Sequence, residues 1–252
     1  MTALLEIHNL TKSFSSQSGN KNVLNNLNLS VVKNEFLCIL GPSGCGKSTL
    51  VRCIAGFEDF SGTINCGGKT VTKPSTDRIM VFQDYNQLFP WKTVEDNIMY
   101  PMKLQGIKDK DKLHACTDEV LKKVGLAGYQ KAYPHELSGG MKQRAAIAKA
   151  LALNPKIILM DEPFAALDAI TRNKLQRELY KISQNTDITV IFITHNIQEA
   201  ITLGTRLLLM GNNGRIVIDE KNPLPKPVTP SSKGYGALWD QFSDALGKET
   251  IS

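Results

Sequence analysis

Four short apolar runs punctuate the chain: Phe36–Leu40, Ile157–Met160, Val190–Ile193 and Leu207–Met210. Each run is bounded by polar or turn-forming residues, which is typical of strands buried on both faces of a parallel sheet. Longer segments with helical spacing separate the runs, so the pattern predicts an α/β fold with a mostly parallel sheet. Polar residues that follow such strands lie at the edge where open α/β sheets build their sites.

Two regions of the chain, both before Ile157, depart from this pattern. Alternation in Leu5–Ile7 and Leu24–Val32 predicts a small N-terminal antiparallel sheet, with Ser15–Asn22 as a polar loop. Residues 88–153 include a long stretch rich in Lys, Leu and Ala with helical spacing, and they are expected to form an inserted helical subdomain.

The C-terminal stretch, residues 223–252, differs in composition from what precedes it. Pro223, Pro225 and Pro227 exclude a helix at its start, so it begins as a linker. The apolar positions within Leu238–Leu246 then predict one short amphipathic helix.

Composition adds limits to this fold. With 42% hydrophobic and 21% charged residues, the 252-residue chain has the balance of a globular protein. A net charge of +6 suits nucleic acid, an anionic membrane surface or phosphorylated ligands, although a mildly basic surface explains it equally well. Five cysteines without metal-type spacing indicate reduced thiols. We see no leader, and no apolar run approaches the roughly 18 residues of a membrane span, so we expect a cytosolic chain that reaches a membrane only through a partner.

A glycine-rich segment follows the first buried strand and precedes a helix. It fits the pattern GxxxxGK[ST], in which converging backbone N–H groups and a helix N-terminus hold phosphate. In this pattern Lys47 reaches the β- and γ-phosphates, and the Ser48 hydroxyl is a ligand of Mg²⁺. A chance glycine turn is the competing interpretation, and the strand–loop–helix context disfavours it. The predicted nucleotide-binding residues of this loop are Gly41, Pro42, Ser43, Gly44, Cys45, Gly46, Lys47, Ser48 and Thr49.

Two adjacent carboxylates, Asp161 and Glu162, end the buried run Ile157–Met160. Asp161 is a candidate Mg²⁺ ligand, and Glu162 is a candidate general base for the attacking water. A structural acidic pair satisfied by helix N-termini is equally common, but the phosphate loop earlier in the chain favours catalysis.

A second anion-binding cap lies at the start of another predicted helix. Its residues are Leu137, Ser138, Gly139, Gly140 and Met141, with Gln143 one turn further on. One nucleotide does not need two phosphate-binding helix starts from the same chain. We therefore expect this cap to serve a nucleotide held by another copy, which gives two shared sites in a two-fold dimer.

These motifs, in this order, resemble the ATP-binding subunits of ABC transporters, and the resemblance extends from about Leu4 to Gly214. It implies adenine stacking for Phe14, a Mg²⁺-sensing and catalytic role for Gln83, a D-loop role at the dimer interface for Asp168, and a γ-phosphate contact for His195. The 137–141 segment corresponds to the family signature, with Met141 where Gln is common.

The chain departs from the family after the switch histidine. Asn196 stands where the family usually has aspartate, which leaves the orientation of that loop to be established.

Two segments narrow the resemblance to one branch. Gln87–Trp91 and Asp161–Arg172 resemble importers of nitrate, sulfonates, taurine, bicarbonate and thiamine-precursor pyrimidines. Phe89, Pro90 and Trp91 would then lie where a coupling helix of the membrane subunit docks. A hydrophobic turn inside the helical subdomain is the alternative.

The expected protein is thus a P-loop ATPase that uses ATP and Mg²⁺. Its ATPase domain would span residues 1–222, followed by the linker and helix of residues 223–252. The implied partners are a second ATPase subunit, identical or a close paralogue, transmembrane permease subunits and, indirectly, an extracytoplasmic solute-binding protein. It would act at the cytoplasmic face of the membrane, without direct nucleic-acid contact. The alternatives are a soluble ABC ATPase acting on nucleic acid or the ribosome, an exporter ATPase, and a nucleotide sensor without turnover.

Overall fold

A computed structural model describes residues 3–16, 19–82, 87–164 and 169–251 of the protein. In chain order the strands are β1 (Ala3–Ser16), β2 (Gly19–Val32), β3 (Phe36–Leu40), β4 (Ser61–Cys66), β5 (Lys69–Thr70), β6 (Arg78–Val81), β7 (Ile157–Asp161), β8 (Thr189–Ile193), β9 (Arg206–Met210) and β10 (Ile216–Lys221). The helices are α1 (Lys47–Ala55), α2 (Val94–Leu104), α3 (Lys110–Lys123), α4 (Gly139–Leu151), α5 (Ala169–Asn185), α6 (Ile197–Leu203) and α7 (Tyr235–Ile251).

The central sheet has six strands in the order β10-β9-β3-β8-β7-β6. Its strands pair in parallel except at β10, which is antiparallel to β9. All residues of β3 and β8 are buried, as the apolar runs predicted, because helices cover both faces of the sheet. The predicted α/β class and mostly parallel core are confirmed, and the carboxyl ends of β3, β7 and β8 meet at one edge.

The N-terminal sheet is antiparallel, in the order β2-β1-β4-β5. The prediction of a polar loop over Ser15–Asn22 was wrong, since Ser15 pairs with Asn20 and Ser13 with Asn22 across the hairpin. Polar composition suggested a loop, but backbone hydrogen bonds pair strands regardless of side chain. Ser13 and Asn22 are exposed, so these positions need no apolar residue.

The helical subdomain is confirmed as an insertion between the neighbouring parallel strands β6 and β7. Helices α2, α3 and α4 pack against one another, and α4 also packs against β6. Each of the three begins at a side-chain cap, supplied by Thr93, Asp109 and Ser138 respectively. The subdomain therefore leaves the sheet at the carboxyl end of β6 and returns to it at the amino end of β7.

The C-terminal helix α7 is longer than the predicted segment, beginning at Tyr235 and ending at Ile251. Phe242 and Leu238 are buried and join the same hydrophobic cluster as α6. At its far end, Glu249 forms an ion pair of 2.6 Å with Arg215. The division of the chain at residue 222 stays a prediction. Within the described ranges, no helix combines the length and the apolar character needed to cross a membrane.

Candidate nucleotide site

The glycine loop connects β3 to α1, and two of its glycines have backbone conformations that other residues rarely adopt. Gly46 has φ +108° and Gly44 has φ +80°. A Cβ atom on Gly46 would lie 2.8 Å from Leu24 Cδ2 and 2.9 Å from the Val23 carbonyl oxygen. Only glycine fits at position 46, where the loop passes directly beneath β2 and enters α1.

The N-terminus of α1 has no side-chain cap and no acidic residue in its first turn. By contrast, α2, α3 and α4 each begin with a side chain that accepts a backbone N–H. The first-turn N–H groups of α1 therefore retain their capacity to bind an external anion.

Lys47, the first residue of α1, is only 6% exposed. Its Nζ donates to the carbonyl oxygens of Gly41 and Pro42, at 2.8 Å in both cases, which keeps the ammonium within the curve of the loop. Burial raises the pKa of the neighbouring Cys45 thiol, and the Lys47 charge only partly opposes this. Cys45 is therefore a neutral packing residue, whereas Lys47 supplies the positive charge of the loop.

Ser48 joins the loop to the end of β7. Its hydroxyl donates to Asp161 Oδ1 at 3.1 Å. Burial raises the pKa of the Asp161 carboxyl, and the hydrogen bond from Ser48 opposes that shift. The described residues contain no group of three or more His, Cys, Asp or Glu side chains arranged to hold a metal. The pair Ser48 and Asp161 nevertheless offers the oxygen donors that Mg²⁺ prefers when phosphates supply further ligands.

Glu162 follows Asp161 in a strained backbone conformation. Its φ of +46° lies in the left-handed region, which costs a non-glycine residue on the order of 1–3 kcal/mol. The Glu162 N–H donates to the Ile193 carbonyl at 3.1 Å, so the end of β8 holds the turn in place. Backbone strain that a neighbouring strand maintains in this way clusters at functional sites.

His195 lies at the end of β8 and contacts Glu162. Its Nδ1 is 3.0 Å from Glu162 Oε2. In a hydrogen bond from this ring to a carboxylate anion, Nδ1 is the donor. The second ring nitrogen, Nε2, is on the far side of an exposed ring. The structure thus brings together Lys47, Ser48, Asp161, Glu162 and His195, all of them predicted from the sequence.

A buried layer behind His195 was not predicted. Glu199 accepts a hydrogen bond of 2.5 Å from the Thr194 hydroxyl and lies 3.5 Å from Arg172 Nε. Burial raises the pKa of Glu199, and the Thr194 hydrogen bond, the Arg172 charge and a hydrogen bond from Gln176 oppose the shift. This layer fixes the backbone at Thr194 and His195.

The structure shows what Asn196 does in place of the aspartate that is usual in the family. Its Oδ1 accepts the Glu199 N–H at 3.2 Å and caps α6. Asparagine and aspartate are equally good caps, so the loop keeps its orientation without the negative charge. The spacing Asn196-x-x-Glu199 resembles a capping box and was the available sequence signal for both residues.

The second predicted cap begins α4. Ser138 Oγ accepts the Met141 N–H at 3.3 Å, and both Ser138 and Gly139 are exposed. Leu137 and Gly140 are buried. Gln143 is buried as well, and no described residue pairs with its side-chain amide. The exposed anion-binding part of this segment is therefore Ser138 and Gly139.

Within one chain the helices that begin at the two caps belong to different hydrophobic clusters, although both also pack on β6. Helix α4 packs on α2, α3 and β6, whereas α1 packs on β2, β6, β7 and β8. Among the described residues, no hydrogen bond or ion pair joins the 137–141 segment to the 41–49 loop.

Comparison with known proteins agrees with this geometry. A family model described as ABC transporter matches residues 24–165. An aliphatic sulfonates import ATP-binding protein of Bacillus cereus is 44% identical over 233 residues, covering 92% of this chain and 91% of that protein. A nitrate import ATP-binding protein of Synechocystis is 46% identical over 234 residues, covering 92% of this chain and 87% of that protein. The chain belongs to the ABC transporter family.

A solved structure extends the comparison to the fold. It is a dimeric ATP-binding cassette in a post-hydrolysis state bound to ADP and Pi, with a TM-score of 0.73 and 32% identity. The match covers 86% of this chain and 98% of that one. The resemblance seen in the motifs is confirmed, and this ABC chain is an ATP-binding subunit with ATPase activity.

Three predicted ABC positions remain to be placed. Gln83 and Asp168 lie outside the described residues. The Phe14 ring is 40% exposed, with Lys12 Nζ 4.7 Å from its centroid. Lys12 pairs across the hairpin with Leu24, whose side chain lies beside Gly46 of the glycine loop. Phe14 is two residues further along β1 from this point. Stacking of Phe14 on adenine stays a prediction.

The segment predicted to receive the ABC membrane subunit begins with a rigid turn. Trp91 is 70% exposed, and its ring centroid lies 5.5 Å from that of Phe89. Buried Asn97 fixes this turn: its Oδ1 accepts the Phe89 N–H at 2.7 Å, and its Nδ2 donates to the carbonyls of Phe89, Lys92 and Thr93. Sequence reasoning missed Asn97, whose only signal is an amide on the apolar face of α2.

Proposed function

We propose that the chain powers an importer of a small anion, of the sulfonate or nitrate kind, by hydrolysing ATP at two sites shared between two copies. One observation carries the proposal. The catalytic side chains converge at the carboxyl edge of the sheet, while the exposed Ser138 cap begins a helix of the other hydrophobic cluster and, among the described residues, makes no hydrogen bond or ion pair with them. A second copy would bring its own cap to this edge.

Phosphate binding follows from the loop and its helix. The uncapped N–H groups of α1 donate to phosphate oxygens, and Lys47 turns from the loop carbonyls to the β- and γ-phosphates. The exchange replaces two neutral acceptors by an anion, so it strengthens the hydrogen bonds that Lys47 makes.

Ser48, Asp161 and Gln83 would hold a magnesium ion at the other side of the phosphates. The ion would neutralise charge on the β- and γ-phosphate oxygens. Ser48 and Asp161 are already 3.1 Å apart, so a small rearrangement suffices to place both oxygens around a cation.

Glu162 and His195 would act on the attacking water. Glu162 accepts its proton as the general base, and the contact from His195 Nδ1 fixes the carboxylate during this transfer. The far side of the His195 ring faces away from Glu162, so Nε2 would face the γ-phosphate and would need a hydrogen of its own to donate to a phosphate oxygen. The strained φ of Glu162 holds the carboxylate in position before ATP arrives.

The dimer and the membrane partners complete the cycle. Ser138 and Gly139 of one copy cap the nucleotide of the other, with Asp168 crossing between them. The solved relative is itself described as dimeric. Permease subunits would dock at Phe89–Trp91 on the cytoplasmic face of the membrane, and a solute-binding protein would act indirectly from the far side.

Import and the class of solute rest on the two relatives whose names specify sulfonates and nitrate import. ATP would drive transport because it binds the closed dimer more tightly than the open one. The second subunit is a copy of this chain or a close paralogue, since this chain carries both halves of the shared site.

The test uses Glu162→Gln, which preserves shape but removes the base. With Mg²⁺ and ATP, sizing should show this variant as a dimer, and without ATP as a monomer. The matched control is Glu162→Gln combined with Ser138→Arg, where a bulky side chain blocks the cap. This double variant should bind ATP and remain monomeric. Dimerisation of both variants to the same extent would contradict the shared site.

A further inference from the structure

A second cavity, of about 490 Å³, lies between α5, α6 and the proline-rich segment 227–230. Its volume is within the range of small-molecule sites, roughly 300–1,000 Å³. Among the residues that the structure describes, those assigned to the ATP cycle do not line it.

The charge of this cavity is wholly positive. The charged side chains that line it, within the part of the chain that the structure describes, are Arg177 and Lys181. Among the described residues neither cation forms an ion pair. They are four residues apart on α5, so they project from the same helix face, where like charges repel. An anion between them would relieve this repulsion.

The remaining walls suit an organic anion better than an inorganic one. Asn173 lies one turn before Arg177 and adds an amide to the row of donors. Opposite the helices, Pro227, buried Val228 and Pro230 provide an apolar wall.

The apolar wall is held rigidly against α6. Lys226 Nζ donates to the carbonyls of Ile201 and Thr202 at 2.9 and 2.7 Å. Asn222 Nδ2 donates to the carbonyls of Ile201 and Gly204 at 2.8 and 2.9 Å. Asn222 and Lys226 precede segment 227–230, and their hydrogen bonds attach it to α6. The cavity is therefore preformed.

One lining residue connects the cavity to the ATP site. Gln176 is 3% exposed, lines the cavity, and its amide is one of the groups that oppose the rise in the pKa of buried Glu199. Glu199 in turn accepts the hydrogen bond from the Thr194 hydroxyl, next to His195. An anion in the cavity would compete with Glu199 for the Gln176 amide. Loss of the interaction between Gln176 and Glu199 would loosen the layer that fixes the His195 loop.

We propose that this cavity is a regulatory site for a small organic anion, and that its occupancy slows ATP hydrolysis through Gln176 and Glu199. The site goes beyond the proposed transport function and does not depend on it. An assay of ATPase activity without any added anion tests that function separately.

The binding test is calorimetry on the full chain with pentanesulfonate, hexanoate and the neutral hexanamide as probes. Both anions should bind saturably at millimolar concentrations and hexanamide should not. Tighter binding of pentanesulfonate than of hexanoate would point to a transported sulfonate as the natural ligand. Equal binding of the two anions would point instead to a wider class that includes carboxylate metabolites. Absence of saturable anion binding, or equal binding of hexanamide, would overturn the proposal.

Matched variants locate the site. Lys181→Gln should weaken binding of pentanesulfonate by about threefold to tenfold, because it removes one charge-assisted contact. The same charge change at Lys174→Gln, on an exposed position of α5 outside the cavity, should leave binding unaltered. Both variants should keep the ATPase rate of the unmodified chain without probe. Equal weakening by both would place the anion elsewhere and contradict the assignment.

The coupling is tested by ATPase rate under saturating pentanesulfonate. The rate should fall in the unmodified chain and in Lys174→Gln. Gln176→Met keeps the side-chain volume but offers its amide neither to Glu199 nor to the anion. In this variant the probe should bind more weakly but still saturably, and the rate should already be reduced without probe and no longer respond to it. An unchanged rate in the saturated unmodified chain would contradict the link to the His195 loop.

Discussion

The two anion-binding helix starts of this protein differ in what surrounds them. At the start of α1, side chains from β7 and β8 join the loop: Ser48 contacts Asp161, and Glu162 contacts His195. At the start of α4, the hydrogen bonds that Ser138 makes to described residues stay within its own helix, and Ser138 remains exposed. The first region contains the groups for chemistry, and the second contains only groups for recognition. This asymmetry is what a site shared between two copies requires of each copy.

The largest expected effect is at the chemical region. Lys47→Gln should lower ATP turnover by about 10²–10³-fold, because it removes the positive charge directed at the phosphates. It should also weaken ATP binding by the isolated monomer, measured by fluorescence of a labelled ATP analogue. Lys33→Gln, an exposed lysine outside the site, is the control and should change neither quantity.

Ser138→Arg sharpens the comparison because it should separate the two measurements. We expect turnover to fall by about 10²-fold as the blocked cap prevents dimer closure, while ATP binding by the monomer stays unchanged. Ser138→Ala is the milder control and should mainly remove the helix cap, at about 1 kcal/mol of unfolding free energy. Weakened monomer binding in Ser138→Arg would mean that the cap serves its own chain.

Asn97→Leu tests the turn that presents Phe89 and Trp91. It leaves one N–H and several carbonyl groups without their partner, so the free energy of unfolding should fall by about 1–3 kcal/mol. Urea denaturation should show a lower midpoint, while ATPase activity without permease subunits is retained. The same change at exposed Asn25 should be close to neutral, and equal destabilisation there would remove the special role of Asn97.

Asn196 gives the smallest expected effect. Asn196→Ala should cost about 1 kcal/mol of stability through loss of the α6 cap. Asn196→Asp should match the unmodified chain in both stability and turnover, since either side chain accepts the Glu199 N–H. A marked gain in turnover for Asn196→Asp would mean that the charge, and not the cap, is what the family uses at this position.

The buried strands and the phosphate loop were predictable because their signals are local. Apolar runs such as Phe36–Leu40 and the spacing from Gly41 to Ser48 stand in continuous sequence. The acid pair and His195 followed from their positions at strand ends, which parallel topology brings to one edge. The contact between Glu162 and His195 was not predictable, because it depends on the left-handed backbone conformation of Glu162, which no sequence pattern indicates.

Long-range contacts account for what was missed. The polar hairpin after Ser13 looked like a loop because its strand pairing depends on the backbone. Glu199 and Asn97 are polar residues in otherwise buried settings, and their partners lie on other segments or on a turn that sequence does not define. The roles of Gln83 and Asp168 remain predictions from the family resemblance.

The most direct test of the shared site is the ATPase rate per subunit as a function of protein concentration, with Mg²⁺ and without any partner. The account predicts that this rate climbs with concentration as monomers pair, and that it vanishes in Glu162→Gln at every concentration. A Mg²⁺-dependent rate that stays constant across a range where sizing shows only monomer would contradict it, because a single chain would then complete its own site.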